Sequence, residues 1–194
     1  MSVGASMGPE LGRLGDLLRK RDLTVAVAES MTGGLLAAAL ADLPESSQRF
    51  LGGVVSYRTD KKMDLLGVPA DVIAGDGVVS RPTAQLMAEG ARRIFRAGLA
   101  ISVTGVAGPE RQEGKPVGLT YIGVSLDGRT EVREYRWPGG RAANRVASVE
   151  AAIGLAADLL ESAPPYPPPE GEGKKLSGSR KRRAGSVCRS RCIA

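Results

Sequence analysis

The sequence predicts an α/β fold, a single layered domain with a mixed, partly parallel sheet and flanking helices. Three observations carry that expectation. Short valine-rich runs alternate with alanine- and leucine-rich segments over the first hundred residues, the pattern of parallel strands joined by helices. Late in the chain, Asp127-Gly128 separates two strand-like runs, a strong signal for a two-residue antiparallel hairpin. Finally, 194 residues with 42% hydrophobic content fill one good core and leave little for a second.

Taken in order, Pro9 to Arg21 carries Leu11, Leu14, Leu17 and Leu18 at helical spacing, with a proline suited to a first turn and basic residues at the end. Leu23 to Ala28 is a short apolar run consistent with a buried strand, and Gly33 to Ala41 is dense in good helix formers before Pro44. Phe50 to Tyr57 predicts a second strand, followed by a short helix ending near Gly67-Val68-Pro69. Pro82 to Arg96 has helical composition with a start signal at Ser80, and Leu99 to Val103 returns as a strand. Leu119 to Leu126 and Thr130 to Trp137 form the hairpin, and a last helix runs from about Arg141 to Leu160. The sheet is thus expected to be parallel in part, with the hairpin antiparallel, in two or three layers.

The domain is expected to span 9–162. After Ala163 the chain turns proline-rich and then basic, a stiff and later core-less composition that predicts a disordered tail over 163–194. That tail holds 8 Lys/Arg and 2 Asp/Glu, so the net charge of +6 belongs to it and the body keeps 19 of each sign. Contact of the tail with nucleic acid or an anionic membrane is one reading and a solvated extension the other; the neutral body gives no support for nucleic-acid recognition. Cys188 and Cys192, the two cysteines, also lie in the tail. Their spacing, with no further ligand nearby and no histidine in the chain, makes a poor zinc site, and no metal is predicted. Met1 to Gly8 lacks a leader's basic start and apolar core, and the longest apolar run, Leu35 to Ala41, is too short to cross a bilayer. A cytoplasmic protein is expected.

The chemistry-bearing segments stand at predicted strand ends. Ala28-Glu29-Ser30-Met31-Thr32-Gly33-Gly34 puts a hydroxyl where a strand turns into a helix. The helix start would offer unpaired N–H groups that Gly33 and Gly34 leave approachable, although Ser30 or Thr32 also fits a plain N-cap. With no histidine in the chain, a serine nucleophile needs a lysine, tyrosine or carboxylate to activate it. Tyr57 and Lys62 follow the second strand at the same sheet edge. A lysine with its usual pKa of about 10.4 is almost wholly charged at neutral pH, so burial or nearby cations, with Lys61 and Arg58 as candidates, would have to lower it; an exposed basic cluster is the alternative. Thr104-Gly105 follows the strand 99–103 and suits a backbone-lined pocket or an ordinary turn. Arg141 and Arg145 share a face at the start of the last helix and could clamp a phosphate.

Together with Gly52-Gly53-Val54-Val55-Ser56-Tyr57, Lys62 to Val68, Thr104 to Pro109, Lys115-Pro116-Val117-Gly118 and Gly140-Arg141, these segments resemble the CinA C-terminal domain family over roughly Leu11 to Leu160. Stand-alone members are nicotinamide-nucleotide amidohydrolases. The resemblance implies hydrolysis of the carboxamide of nicotinamide mononucleotide to nicotinate mononucleotide and ammonia, with no cofactor. It implies Ser30 as nucleophile, Lys62 as base and Tyr57 as a third polar member. Backbone donors near Thr32, Gly33 and Gly34 would hold the oxyanion, and Thr104, Gly105, Arg141 and Arg145 would grip the nucleotide. It also makes a homodimer a fair expectation, and the Met31 side chain is expected to point away from Ser30.

The chain departs from the family pattern at three places. Met31 stands where cysteine is usual, Gly140 where an acidic residue precedes the arginine, and Glu110-Arg111 where glycine follows the Gly-Pro pair. Members often carry a further N-terminal domain resembling molybdopterin-binding folds; this length leaves no room for it, so its pyrophosphatase activity is expected to be absent. The rival expectations are a catalytically inactive nucleotide-binding or regulatory module and a nucleic-acid-associated protein acting through its tail.

Overall fold

The computed structural model describes residues 8–164. The expected tail, with Cys188 and Cys192, lies outside the described residues apart from Ala163 and Pro164. The elements run α1 (Gly8–Lys20), β1 (Val25–Glu29), α2 (Leu35–Ala41), α3 (Ser46–Arg49), β2 (Phe50–Val55), α4 (Thr59–Asp64), α5 (Ala70–Asp76), α6 (Arg81–Phe95), β3 (Leu99–Gly105), β4 (Leu119–Leu126), β5 (Arg129–Arg136) and α7 (Arg141–Ser162).

The five strands lie in the order β2-β1-β3-β4-β5. β1 pairs in parallel with both β2 and β3, whereas β3–β4 and β4–β5 are antiparallel. The mixed sheet is therefore as expected, and the Asp127-Gly128 turn has positive φ at both residues, the twist that suits a tight hairpin.

The two faces of the sheet differ in side-chain size, and this sets the layers. Val25, Val27, Leu99, Ile101, Val103, Ile122 and Val124 pack with α1, α2 and α7 in one large core. The alternate residues Ala28 and Ala100 face α6, where they meet Met87 and Ala91 together with Leu66 and Val68. Helices on both faces make a three-layer domain. On the α6 side small residues allow close approach: a Cβ on Gly90 would run into the Leu66 carbonyl, so α6 lies directly against the turn that follows α4.

Element bounds shift at a few places. The helix expected from Gly33 begins at Leu35, because Gly33 and Gly34 take positive φ and form a turn first. The strand expected over 50–57 stops at Val55, leaving Ser56 and Tyr57 to lead into α4. Two short helices, α3 and α5, were not anticipated; at 4 and 7 residues they are too short to show a helical period. Among the described residues, no helix is long and apolar enough to cross a membrane.

Candidate active site

The chain leaves β1 for β2 through α2 and α3 on one face, then leaves β2 for β3 through α4, α5 and α6 on the other. Connections that diverge to opposite faces open a crevice at the carboxyl end of the strand between them. That strand is β1, and Ser30 is the residue that follows it.

Ser30 is held by its backbone. Its N–H donates to the Val103 carbonyl (3.0 Å), while on the other side Ser56 N–H donates to the Glu29 carbonyl (2.8 Å). The end of β1 is thus locked between extensions of β3 and β2. Behind it stands Glu29, a wholly buried residue whose carboxylate accepts from the N–H groups of Gly34 (2.9 Å), Leu36 (3.1 Å) and Ala37 (2.8 Å). This side chain caps α2 from inside the protein, supplying the partners a helix start otherwise lacks.

The capping by Glu29 corrects the expected oxyanion donors. Gly34 N–H is taken by Glu29 and Gly33 N–H by the Ser30 carbonyl (3.1 Å). Within that turn, among the described residues, the N–H groups of Met31 and Thr32 enter no hydrogen bond. The Met31 side chain packs into the core, with its sulfur 3.4 Å from Thr120 Oγ1, as expected.

Lys62 reaches Ser30 from α4. Its Nζ lies 3.0 Å from Ser30 Oγ and donates to the Ser56 carbonyl at 2.6 Å. Only 1% of the residue is exposed. No carboxylate of the described residues pairs with this ammonium, and burial lowers its pKa from 10.5 to about 8, opposed by the more distant charge of Glu113. Burial alone supplies the shift; the cations proposed to assist do not. Arg58 pairs with Asp60 and Lys61 with Asp60 and Asp64, all at the surface of α4.

A cleft of about 380 Å³ opens over Ser30, between Tyr57 on one side, Val78 and Val79 behind, and Gly105 to Gln112 with Arg141 on the other. Tyr57 is 56% exposed, and its hydroxyl accepts from Arg141 Nη2 (2.6 Å) rather than meeting Ser30 or Lys62. Arg141 Nη1 donates to the Gly108 carbonyl (2.8 Å), which ties the α7 start to the cleft rim.

Two of the residues expected to grip a nucleotide, Thr104 and Arg145, hold backbone carbonyls of the protein instead. Thr104 is buried, with its hydroxyl on the Val78 carbonyl (2.7 Å). Thr32 is buried as well, and its carbonyl accepts from Arg145 Nη2 (2.6 Å). Arg145 therefore clamps the serine turn, against a Gly33 whose added Cβ would come within 3.2 Å of the guanidinium. Arg141 and Arg145 do not form one clamp.

A larger cleft of about 890 Å³ lies at the other end of the sheet, lined by Arg21, Arg92, Arg93 and Arg96 among others. Three of these arginines hold backbone carbonyls: Arg21 those of Ala163 and Pro164, Arg92 that of Gly98 and Arg93 that of Leu66. Glu89 and Thr130, hydrogen-bonded to each other at 2.9 Å, also line it. Among the described residues, no group of His, Cys, Asp and Glu side chains is arranged to hold a metal.

The family model of the CinA C-terminal domain matches residues 11–160. A protein of Desulforamulus reducens described as competence-damage inducible is 50% identical over 148 residues, 76% of this chain and 36% of its own length. A CinA-like protein of Frankia casuarinae is 45% identical over 148 residues, again 76% of this chain and 34% of its own. The chain thus spans about a third of the curated relatives it matches. Among solved structures, a CinA superfamily protein from Klebsiella pneumoniae superposes with a TM-score of 0.78 at 30% identity, covering 80% of this chain and 98% of that one. The competence/damage inducible protein CihA of Agrobacterium tumefaciens gives a TM-score of 0.70 at 38% identity, with 76% and 96% covered.

Proposed function

This chain belongs to the CinA C-terminal domain family, and on that premise we propose that it is an amidohydrolase that cleaves the carboxamide of nicotinamide mononucleotide to nicotinate mononucleotide and ammonia. The observation that carries the reading is the buried 3.0 Å approach of Lys62 Nζ to Ser30 Oγ, in a chain without histidine.

With its pKa near 8, Lys62 is a neutral amine in about a tenth of molecules at pH 7, against well under a thousandth for an ordinary lysine. In the neutral form it accepts the Ser30 proton as Oγ attacks the amide carbon. The Ser56 carbonyl aims the amine at that oxygen. The N–H groups of Met31 and Thr32 are the available donors for the developing oxyanion. Collapse of the tetrahedral species breaks the C–N bond, the Lys62 ammonium returns its proton to the leaving nitrogen, and ammonia departs. Water then attacks the Ser30 ester, gives a proton to Lys62, and Lys62 passes it back to Ser30 Oγ as the acid leaves. Tyr57 and Arg141, joined at the rim, flank the substrate's path in.

The test is ammonia release from nicotinamide mononucleotide. Ser30→Ala and Lys62→Ala should each lower kcat by about a thousandfold. Substrate binding without ammonia release by the unaltered protein would overturn the reading and leave a nucleotide-binding module.

A further inference from the structure

We propose that Arg111 determines specificity at this cleft, reading a phosphate monoester on the far end of the amide substrate together with Arg141. The inference rests on the amidase reading for the identity of the site, but its own evidence is the construction of the rim.

Arg111 and Arg141 both line the cleft, and among the described residues neither forms an ion pair. Glu110 is the one acidic residue in the lining. Each guanidinium is held by oxygen acceptors that leave donors to spare. Arg111 Nη2 donates to the Gly114 carbonyl (2.6 Å), and Arg141 uses one donor on Gly108 and one on Tyr57. Two unneutralised guanidinium groups on one small cleft suit a doubly charged, multiply accepting group such as a phosphate monoester.

Arg111 is also fixed in place, although it is exposed. Gln112 and Lys115 pair across a tight turn in which Glu113 and Gly114 both have positive φ. The Glu113 carboxylate accepts from Val78 N–H through both oxygens (3.0 and 3.2 Å), and Lys115 donates to the Asp76 carbonyl (2.8 Å). The turn is therefore pinned to the segment between α5 and α6, two residues from Arg111. A charged group on a pinned turn loses less freedom when it binds than one on a free loop.

Binding can be measured by calorimetry with nicotinamide mononucleotide and with its dephosphorylated riboside, on the full chain and on Arg111→Gln and Arg111→Lys. The unaltered chain should bind the phosphorylated ligand more tightly. Arg111→Gln should cut that preference by about tenfold to a hundredfold, and Arg111→Lys should cut it less. An unaltered preference in Arg111→Gln would overturn the proposal, as would equal binding of the two ligands by the unaltered chain. A chain that releases no ammonia yet loses its phosphate preference in Arg111→Gln would overturn the amidase reading and leave this one standing.

Discussion

The two faces of α4 hold neighbouring lysines under opposite conditions. Lys61 points to solvent between Asp60 and Asp64, and its hydrogen bonds to those carboxylates raise its pKa. Lys62 points inward, meets a hydroxyl and a carbonyl in place of a carboxylate, and is pushed down to about 8 by burial. One residue step along a helix turns the side chain by about 100° and exchanges an ion-paired surface ammonium for a buried amine with a lowered pKa. What separates them is therefore orientation, since sequence neighbourhood and residue type are shared.

The most severe way to break the contrast is to make both positions permanently charged. Lys62→Arg should lower kcat for ammonia release by about a thousandfold, because a guanidinium cannot take the Ser30 proton, whereas Lys61→Arg should leave kcat within about twofold. In the unaltered chain kcat should rise about tenfold per pH unit below pH 8 and level off above it, as the neutral amine becomes the major form.

Stability should carry the same signature. Between about pH 8 and 10.5 the unfolded chain binds a proton at Lys62 that the folded chain has already lost, so folding stability gains with pH across that window. Measured by urea unfolding against Lys62→Met, the gain should approach about 3 kcal/mol, and it should be absent in Lys61→Met. A smaller effect sharpens the comparison from outside α4. Glu29→Gln replaces an acceptor with a donor beneath three N–H groups and should cost about 2 kcal/mol of stability, while the midpoint of the kcat profile stays near 8, since burial sets it. The smallest change in stability is expected for Lys61→Ala, because its ion pairs are exposed.

Much of this was legible in the sequence, and the remainder failed for identifiable reasons. The absence of histidine left a lysine, tyrosine or carboxylate to activate any serine nucleophile, the resemblance to the family singled out Ser30 and Lys62, and the Asp127-Gly128 pair gave the hairpin and with it the mixed sheet. Thr104 was misjudged although period-two alternation held the clue: Ala100, Ser102 and Thr104 share a face, and that face meets α6 and the segment before it. Arg145 shares a helix face with Arg141, yet the turn it supports is brought there only by the tertiary fold. Glu29 was overlooked as a lone acid, but an acid closing the otherwise apolar run Val25-Ala26-Val27-Ala28 is itself a sign of a buried carboxylate in need of donors.

The buried cap of α2 has one more consequence. A glycine-rich turn leading into a helix ordinarily attracts anions, but here the Glu29 side chain has already taken the donors of Gly34, Leu36 and Ala37. On the proposed function, the inner end of the cleft would suit an uncharged carboxamide and its mouth a phosphate. That gradient would sort a two-ended molecule before any bond is made, with the reactive end going in first.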